Sequence, residues 1–329
     1  MTASTIARET AAKDGDAAGR PRGVPRDRTP LWRKLVRDRL LLLFLLPGLA
    51  YFLIFHLGAA FGMGIAFTDY WPGIKVWEAN FVGFENFSKM FGDPDFWHAV
   101  VNTVWISLLQ LVFYFPVPLA LALLLHSLTS TRIKRLVQNV VYLPHFISWV
   151  IVVALFQQIL GGAGVVNGFL ADNGLHTIDI IGNPDAYKPL LIAQVIWKES
   201  GWGTIIFLAA LTQVDDTLYE ASSMDGAGPW RRFWHVTLPG IRSVVILLLV
   251  LRLGEVLSVG FEQLLLQRDA VGPAAGEIID TYVYYKSLGG GGDFPLAAAA
   301  GIFKGVIGAI LVYAANKIAH RMGEQGVYR

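Results

Sequence analysis

Hydrophobic positions along this chain gather into six long, nearly uncharged segments, at about residues 40–67, 99–128, 137–160, 189–211, 241–266 and 295–317. A helix needs about 20 residues to cross the ~30 Å hydrocarbon layer, and each segment is long enough. Strands of a membrane barrel would be about 10 residues long and would alternate apolar with polar. The pattern therefore predicts an all-α integral membrane protein with six transmembrane helices. The first segment opens LLLLFLLPGLAYFLIF and meets no acid or Lys/Arg until Asp69.

Composition agrees. Charged residues make up 16% of the chain and hydrophobic ones 54%, against about 25% charged in soluble domains. Cysteine is absent, which excludes disulfides and thiolate metal sites. The seven histidines include no i,i+4 pair, and no metal site is expected.

Basic residues set the orientation. Ten Lys and Arg fall within the first 39 residues. Arg132, Lys134 and Arg135 follow the second segment, Arg231 and Arg232 precede the fifth, and Lys317, Arg321 and Arg329 close the chain. The stretch Asp69 to Asp95 carries five acids against Lys75 and Lys89. Both termini, the loop at 129–136 and the loop at 212–240 are thus expected in the cytoplasm. The polar first 30 residues lack the apolar stretch of a cleavable signal peptide, and their Ala, Gly, Arg and Asp content reads as a disordered tail. The expected organisation is a basic tail at 1–38, helix one at 39–68, an extracytoplasmic segment at 69–98, a helical core at 99–317 containing the 212–240 loop, and a cytoplasmic tail at 318–329.

That loop holds the stretch YEASSMDGAGPWRRFWHVTLPG. Thr217 as N-cap with Glu220 three residues on fits a capping box. A short helix follows, and Gly226 can end it because glycine takes the left-handed conformation without strain. Pro229 suits the first turn of a second short helix over Trp230–His235, which Pro239 would stop before opening the fifth segment. Trp230, Phe233 and Trp234 suit a membrane interface. The first helix, with Glu220, Ala221, Ser222, Ser223 and Gly226, instead offers a small, flat surface that another backbone can approach closely.

Glu220-Ala221-Ser222, Asp225-Gly226-Ala227 and the later Val236-x-Leu238-Pro239 resemble the EAA loop of ATP-binding cassette (ABC) importer permeases. Ser222 stands where alanine is common, a mild departure that keeps the surface small. The resemblance runs from about residue 38 to the end. The segments at 81–103, 137–152 and 293–328 look most like the carbohydrate-uptake branch handling polysaccharide breakdown products, of the LplB type.

The resemblance implies a type I importer permease fold, in a multi-pass protein of the bacterial plasma membrane, whose loop supplies a coupling helix. Glu220 would pair with a basic residue on the ATPase, and Ala221 and Ser222 would form the close contact. Gly226 would make the corner, and Leu238-Pro239 would pass movement to the fifth helix; Asp225 stands among the matched positions. Implied partners are a cytoplasmic ABC ATPase dimer, a second homologous permease, an extracytoplasmic solute-binding lipoprotein and membrane lipid, with no nucleic acid. The chain would bind no cofactor of its own and would not be an enzyme. A P-loop requires GxxxxGK followed by Ser or Thr, whereas the glycine run 289–292 continues into Asp293-Phe294. ATP and Mg would belong to the partner.

Ionisable residues inside membrane helices are candidate solute contacts, since facing lipid is costly for them. Arg252, Glu255 and Glu262, at offsets of 3 and 7, are expected on one helix face, either as an Arg252–Glu255 packing pair or as a cavity lining. Lys198 and Glu199 lie in the fourth segment, where Lys198 could snorkel. His145, Glu255, Glu262 and Lys304 are the proposed solute path, and Trp149 and Trp197 could stack on sugar rings or anchor at an interface. The competing class is a proton-coupled secondary transporter, which would show internal repeats and would leave the EAA-like loop without a job; a membrane scaffold with an interfacial loop is a third.

Overall fold

The computed structural model describes residues 39–321 and Gly323, so the expectations for the basic tail at 1–38 and for the end of the chain fall outside the described residues. The described part is helical, with only isolated β-bridges such as Thr68 with Phe81. Five helical stretches among the described residues are long and apolar enough to cross a membrane: Arg39–Phe67, Pro94–Ser127, Trp149–Asp172, Pro229–Gly254 and Phe294–Arg321. Pro184–Leu211 is as long as the last of these but carries Lys188, Lys198 and Glu199.

The chain divides into two compact units, Met1–Phe61 and Gly62–Arg329. The described part of the first is α1, Arg39–Phe52, extended by a π-helical turn at Leu53–Gly58. Its leucines and phenylalanines are exposed along its length, as befits a helix whose solvent is lipid.

In the second unit the elements are α2 (Glu85–Gly92), α3 (Pro94–Ser127), α4 (Thr131–Tyr142), α5 (Trp149–Leu160), α6 (Val165–Asp172), α7 (Pro184–Leu211), α8 (Asp216–Met224), α9 (Pro229–Gly254), α10 (Phe261–Val271), α11 (Ile279–Ser287) and α12 (Phe294–Arg321). Helix α3 begins at Pro94, five residues before the hydrophobic segment, because the Asp93 side chain accepts from the Asp95 N–H and Pro94 fits the first turn.

Helix α3 shows the burial of a membrane helix. Asn102, Thr103, Ser107 and Gln110 are buried, while Val101, Val104, Trp105 and Leu108 face outward. Water would reverse that choice; lipid rewards it. One apolar core joins α3, α7 and α10 around Ile106, Leu191 and Leu264. Another joins α2, α3, α11 and α12 around Met90, Phe96 and Tyr282. A third joins α3, α7 and α9 around Ala122, Phe207 and Ile241.

Two interruptions shape the middle of this unit. Between α4 and α5 the chain passes through a 3-10 turn at Leu143–Phe146, where Pro144 lies, and restarts with Ser148 as N-cap. Between α9 and α10 it leaves the helix at Glu255 and re-enters after Gly260, whose φ of 97° is left-handed. The expected continuous helix over 241–266 is therefore two helices, and the offset of seven no longer puts Glu262 on the face of Arg252 and Glu255. Carbonyls released at such breaks need donors where water is scarce. Lys198 Nζ donates to His145 O at 2.9 Å. Ser107 Oγ donates to Val256 O, and Gln110 Nε2 to Val259 O at 3.4 Å.

Helix α7 is the central strut, and two glycines set how closely others approach it. A Cβ on Gly201 would fall 2.2 Å from the Val141 carbonyl oxygen; one on Gly203 would fall 2.9 Å from Pro118 Cβ. Farther along, Gln194 of α7 accepts from Gln263 at 2.8 Å and Gln267 at 2.9 Å, a buried amide seam to α10.

Candidate functional site

The loop between α7 and α9 is built from local chemistry. Asp215 caps α8, its Oδ1 accepting from the Thr217 N–H at 2.9 Å. The expected capping box is thus corrected: Thr217 lies inside the helix and Glu220 is not its partner. An Asp carboxylate is among the strongest caps, and Asp215 reaches the free N–H two residues on. That hydrogen bond holds the Asp215 carboxyl below the usual carboxylate range.

Helix α8 ends in a Schellman motif. The Gly226 N–H donates to Ser223 O at 3.1 Å and the Ala227 N–H to Ser222 O at 3.0 Å. Gly226 is left-handed with φ 72°, and no atom stands within 4 Å of where its Cβ would be. Glu220, Ala221 and Asp225 are exposed and Ser222 is half-buried, so the matched side chains crowd an open surface. Arg232 Nη1 donates to Ser223 Oγ at 3.2 Å, and the Tyr219 hydroxyl to Thr237 Oγ1 at 3.1 Å, which ties α8 to α9.

Pro239 does not stop a second short helix. The chain is helical from Pro229 to Gly254, passing through a π-turn at Phe233–Thr237 with Pro239 just after it. The wider turn accommodates a residue that has no N–H to donate. Loop and membrane helix are therefore one continuous body, and Leu238 and Pro239 lie within it. Just after Pro239, Gly240 lies against Val214, in the short connection between α7 and α8.

Two cavities differ in what they could hold. One of about 670 Å³ lies between the end of α3 and the loop, with walls such as Leu123, Leu124, Trp230 and Phe233; they offer little to orient a polar solute. The other, of about 380 Å³, lies among α3, α7 and α9, walled by Tyr114, Trp202, Arg252 and Glu255 with Ile206 and Leu248. Aromatic faces with a few convergent polar groups are the usual make-up of a small-molecule site.

Arg252 is held at that cavity by two contacts. Nη2 donates to Gln110 Oε1, and the guanidinium lies 5.3 Å from the Tyr114 ring centre. The expected Arg252–Glu255 packing pair is replaced by these contacts, because Glu255 has left the helix and is exposed.

Of the four residues expected on the solute path, only Glu255 lines this cavity. His145 lies against Trp202. Lys304 of α12 pairs with Asp280 of α11, and Glu262 is exposed on the first turn of α10. Lys198 does not snorkel; it is 5% exposed and bonded to Glu199 and the His145 carbonyl. Trp197 packs on Phe156, and Trp149 lies under the Lys198 ammonium. The aromatic walls that sequence reasoning missed are Tyr114 and Trp202. The signal for Trp202 was its place between Gly201 and Gly203, a tryptophan where the backbone is closely approached on both sides.

Comparison with known proteins fits this architecture. The family described as binding-protein-dependent transport system inner membrane component matches residues 114–324. The chain is 44% identical over 295 residues to Protein LplB of Bacillus subtilis, covering 89% of this chain and 92% of the relative. It is also 44% identical to the polygalacturonan/rhamnogalacturonan transport system permease protein YteP of Bacillus subtilis, covering 90% and 92%. Among solved structures, a chain of a bacterial alginate ABC transporter, in complex with an alginate pentasaccharide-bound periplasmic protein, superposes with a TM-score of 0.82 at 38% identity, over 90% of this chain and 99% of that one. On the motif, the helical membrane architecture and these matches together, the chain belongs to the family of inner-membrane permease components of binding-protein-dependent ABC transport systems.

Proposed function

We propose that this chain forms half of the membrane pathway of an ATP-driven oligosaccharide importer and receives force through α8. The observation that carries the reading is the continuity of the loop with the cavity. Helix α9 runs unbroken from Pro229, tied to α8, to Arg252 at the cavity wall. A push on α8 therefore reaches the cavity without crossing a flexible joint.

In this reading six helices cross the membrane, α7 being the one whose polar residues face inward. Both termini and the loop lie in the cytoplasm, as the basic residues favour. Glu220 meets a basic residue of the ATPase, Ala221 and Ser222 form the close contact, and Gly226 gives the corner clearance. Asp225 lies on the same docking surface, and Leu238-Pro239 carry the movement onward. ATP and Mg are bound by the ATPase dimer. A second homologous permease completes the path, and an extracytoplasmic binding lipoprotein delivers the solute. The oligosaccharide class is supported by the polysaccharide-linked names of similar proteins and by a cavity with aromatic walls and two charged groups. His145 acts on that cavity through Trp202, whereas Glu262 and Lys304 are not among its lining residues.

The test is co-purification from mild detergent, together with uptake of a panel of neutral and uronate oligosaccharides into membrane vesicles. Wild type should bring down an ATPase and a second permease; Glu220→Lys and Gly226→Asp should lose the ATPase and uptake while inserting normally. Wild-type uptake by both variants would overturn the coupling role. Uptake that needs no ATPase would favour the proton-coupled alternative.

A further inference from the structure

A closed polar ring stands behind Trp202. His145 Nδ1 and Glu199 Oε2 are 2.7 Å apart. Glu199 Oε1 lies 3.0 Å from Lys198 Nζ, and that ammonium donates to the backbone oxygen of His145 at 2.9 Å. The ring thus begins and ends on one residue of the turn that interrupts α4 and α5. The imidazole of His145 lies on the Trp202 indole with ring centres 4.7 Å apart and planes 10° from parallel. Trp202 is a wall of the 380 Å³ cavity; His145, Glu199 and Lys198 are not among its lining residues.

From this geometry we infer that His145 and Glu199 are positioning residues, which fix the Trp202 indole as a rigid platform for a sugar ring in the cavity. The inference rests on the cavity being the solute path. Three features lead to it. A large aromatic on a helix surface has several rotamers, and ordering it in advance lowers the cost of binding. Gly201 admits the Val141–Tyr142 backbone into contact with α7, and this brings the Leu143–Phe146 turn over Trp202. The Lys198–Glu199–His145 ring then holds that turn by both its carbonyl and its side chain, where a buried ammonium without partners would be expensive. A charged cluster in this position serves packing poorly, since apolar residues of similar volume would pack as well; it serves orientation well.

The test uses the complete importer with the permease labelled by 5-fluorotryptophan. The Trp202 signal among the ten tryptophans is assigned with Trp202→Phe. Fluorine NMR should show one narrow Trp202 line in wild type, and a shifted or split line in His145→Ala and Glu199→Gln. His145→Phe, which keeps a ring on the indole, should restore most of the wild-type line. With alginate pentasaccharide as the transported probe, His145→Ala should raise KM by about threefold to tenfold, the worth of one aromatic pair, with kcat changed less than about twofold. A Trp202 line indifferent to His145→Ala and Glu199→Gln would overturn the proposal, as would a displaced line with unchanged KM. If Trp202→Ala itself transports like wild type, the cavity reading fails instead, and the fluorine spectra still report whether the ring positions the indole.

Discussion

Gly226 offers a way to separate what the chain needs from what a partner needs. Its φ of 72° is left-handed, and no atom lies within 4 Å of the position a Cβ would take there. Within this chain, alanine would meet no steric obstacle; its cost is the left-handed backbone, about 1–2 kcal/mol. Asparagine tolerates that conformation better but is larger. If Gly226 served only to end α8, Gly226→Asn should be the milder variant, with Gly226→Ala reduced by about fivefold to thirtyfold. If the corner sits against an ATPase surface, the order reverses, since bulk now matters more than backbone. We expect the reversed order: Gly226→Asn below Gly226→Ala, and both below wild type. The assay is ATPase activity stimulated by solute-loaded binding protein in proteoliposomes, with the thermal midpoint of the purified complex as control. Asparagine near wild type with alanine impaired would refute docking at this corner and leave a helix stop only.

Gly201→Ala places a methyl carbon 2.2 Å from the Val141 oxygen; the forced separation of α4 and α7 should cost about 1–3 kcal/mol, read as a lower thermal midpoint in detergent. Asp93, at the start of α3, is pushed up by burial, but hydrogen bonds from Lys286, Tyr282 and the Asp95 N–H outweigh this and hold its carboxyl below the usual range. Its stabilising contribution is therefore full above the unfolded carboxylate pKa of about 3.9 and is lost as pH falls through the lower folded value; Asp93→Asn should remove that acid-side dependence and lower the midpoint at neutral pH. Asp215→Ala should weaken the start of α8 by removing its cap, lowering coupled ATPase activity while leaving the membrane helices intact. Gln110→Ala removes a partner of both Arg252 and the Val259 carbonyl, so uptake should fall more than in Leu111→Ala, whose side chain makes no such bond.

The part of this protein that sequence made legible is the part set by short-range chemistry. Hydrophobic runs gave the membrane helices at 40–67, 99–128 and 295–317, whereas the runs at 137–160 and 241–266 are each broken, and the long apolar stretches there span Trp149–Asp172 and Pro229–Gly254 instead. The remaining one, expected over 189–211, lies in the helix Pro184–Leu211, which buries Lys198 and half-buries Glu199. Gly226 was legible because a left-handed helix end admits few alternatives. Ambiguity entered where two residues could do one job. Asp215 and Thr217 are both good caps two positions apart, and only backbone geometry chose the former.

What stayed hidden is non-local. Nothing in LRLGEVLSVGFEQ announces that the helix stops at Gly254, since its charges could equally line one face of an unbroken helix and glycine alone is tolerated in membrane helices. The break is possible because Ser107 and Gln110, 149 residues earlier in the chain, supply the donors that Val256 and Val259 need. The same logic explains Lys198. Read alone it is a misplaced charge in a membrane helix; in the fold it satisfies a carbonyl freed at the other interrupted helix and neutralises Glu199. Both breaks border the segment of α7 around Trp202, and in each case the polar side chains that a hydropathy scan treats as defects cap the broken ends. The intramembrane polar residues are thus best sorted by the backbone they serve. Those that serve a break, Gln110 and Lys198, lie behind the cavity walls Arg252 and Trp202, whereas Lys304, paired to Asp280 on a separate helix, lies outside it. A scan for charge alone could not make that distinction, because it depends on which carbonyls the fold leaves open.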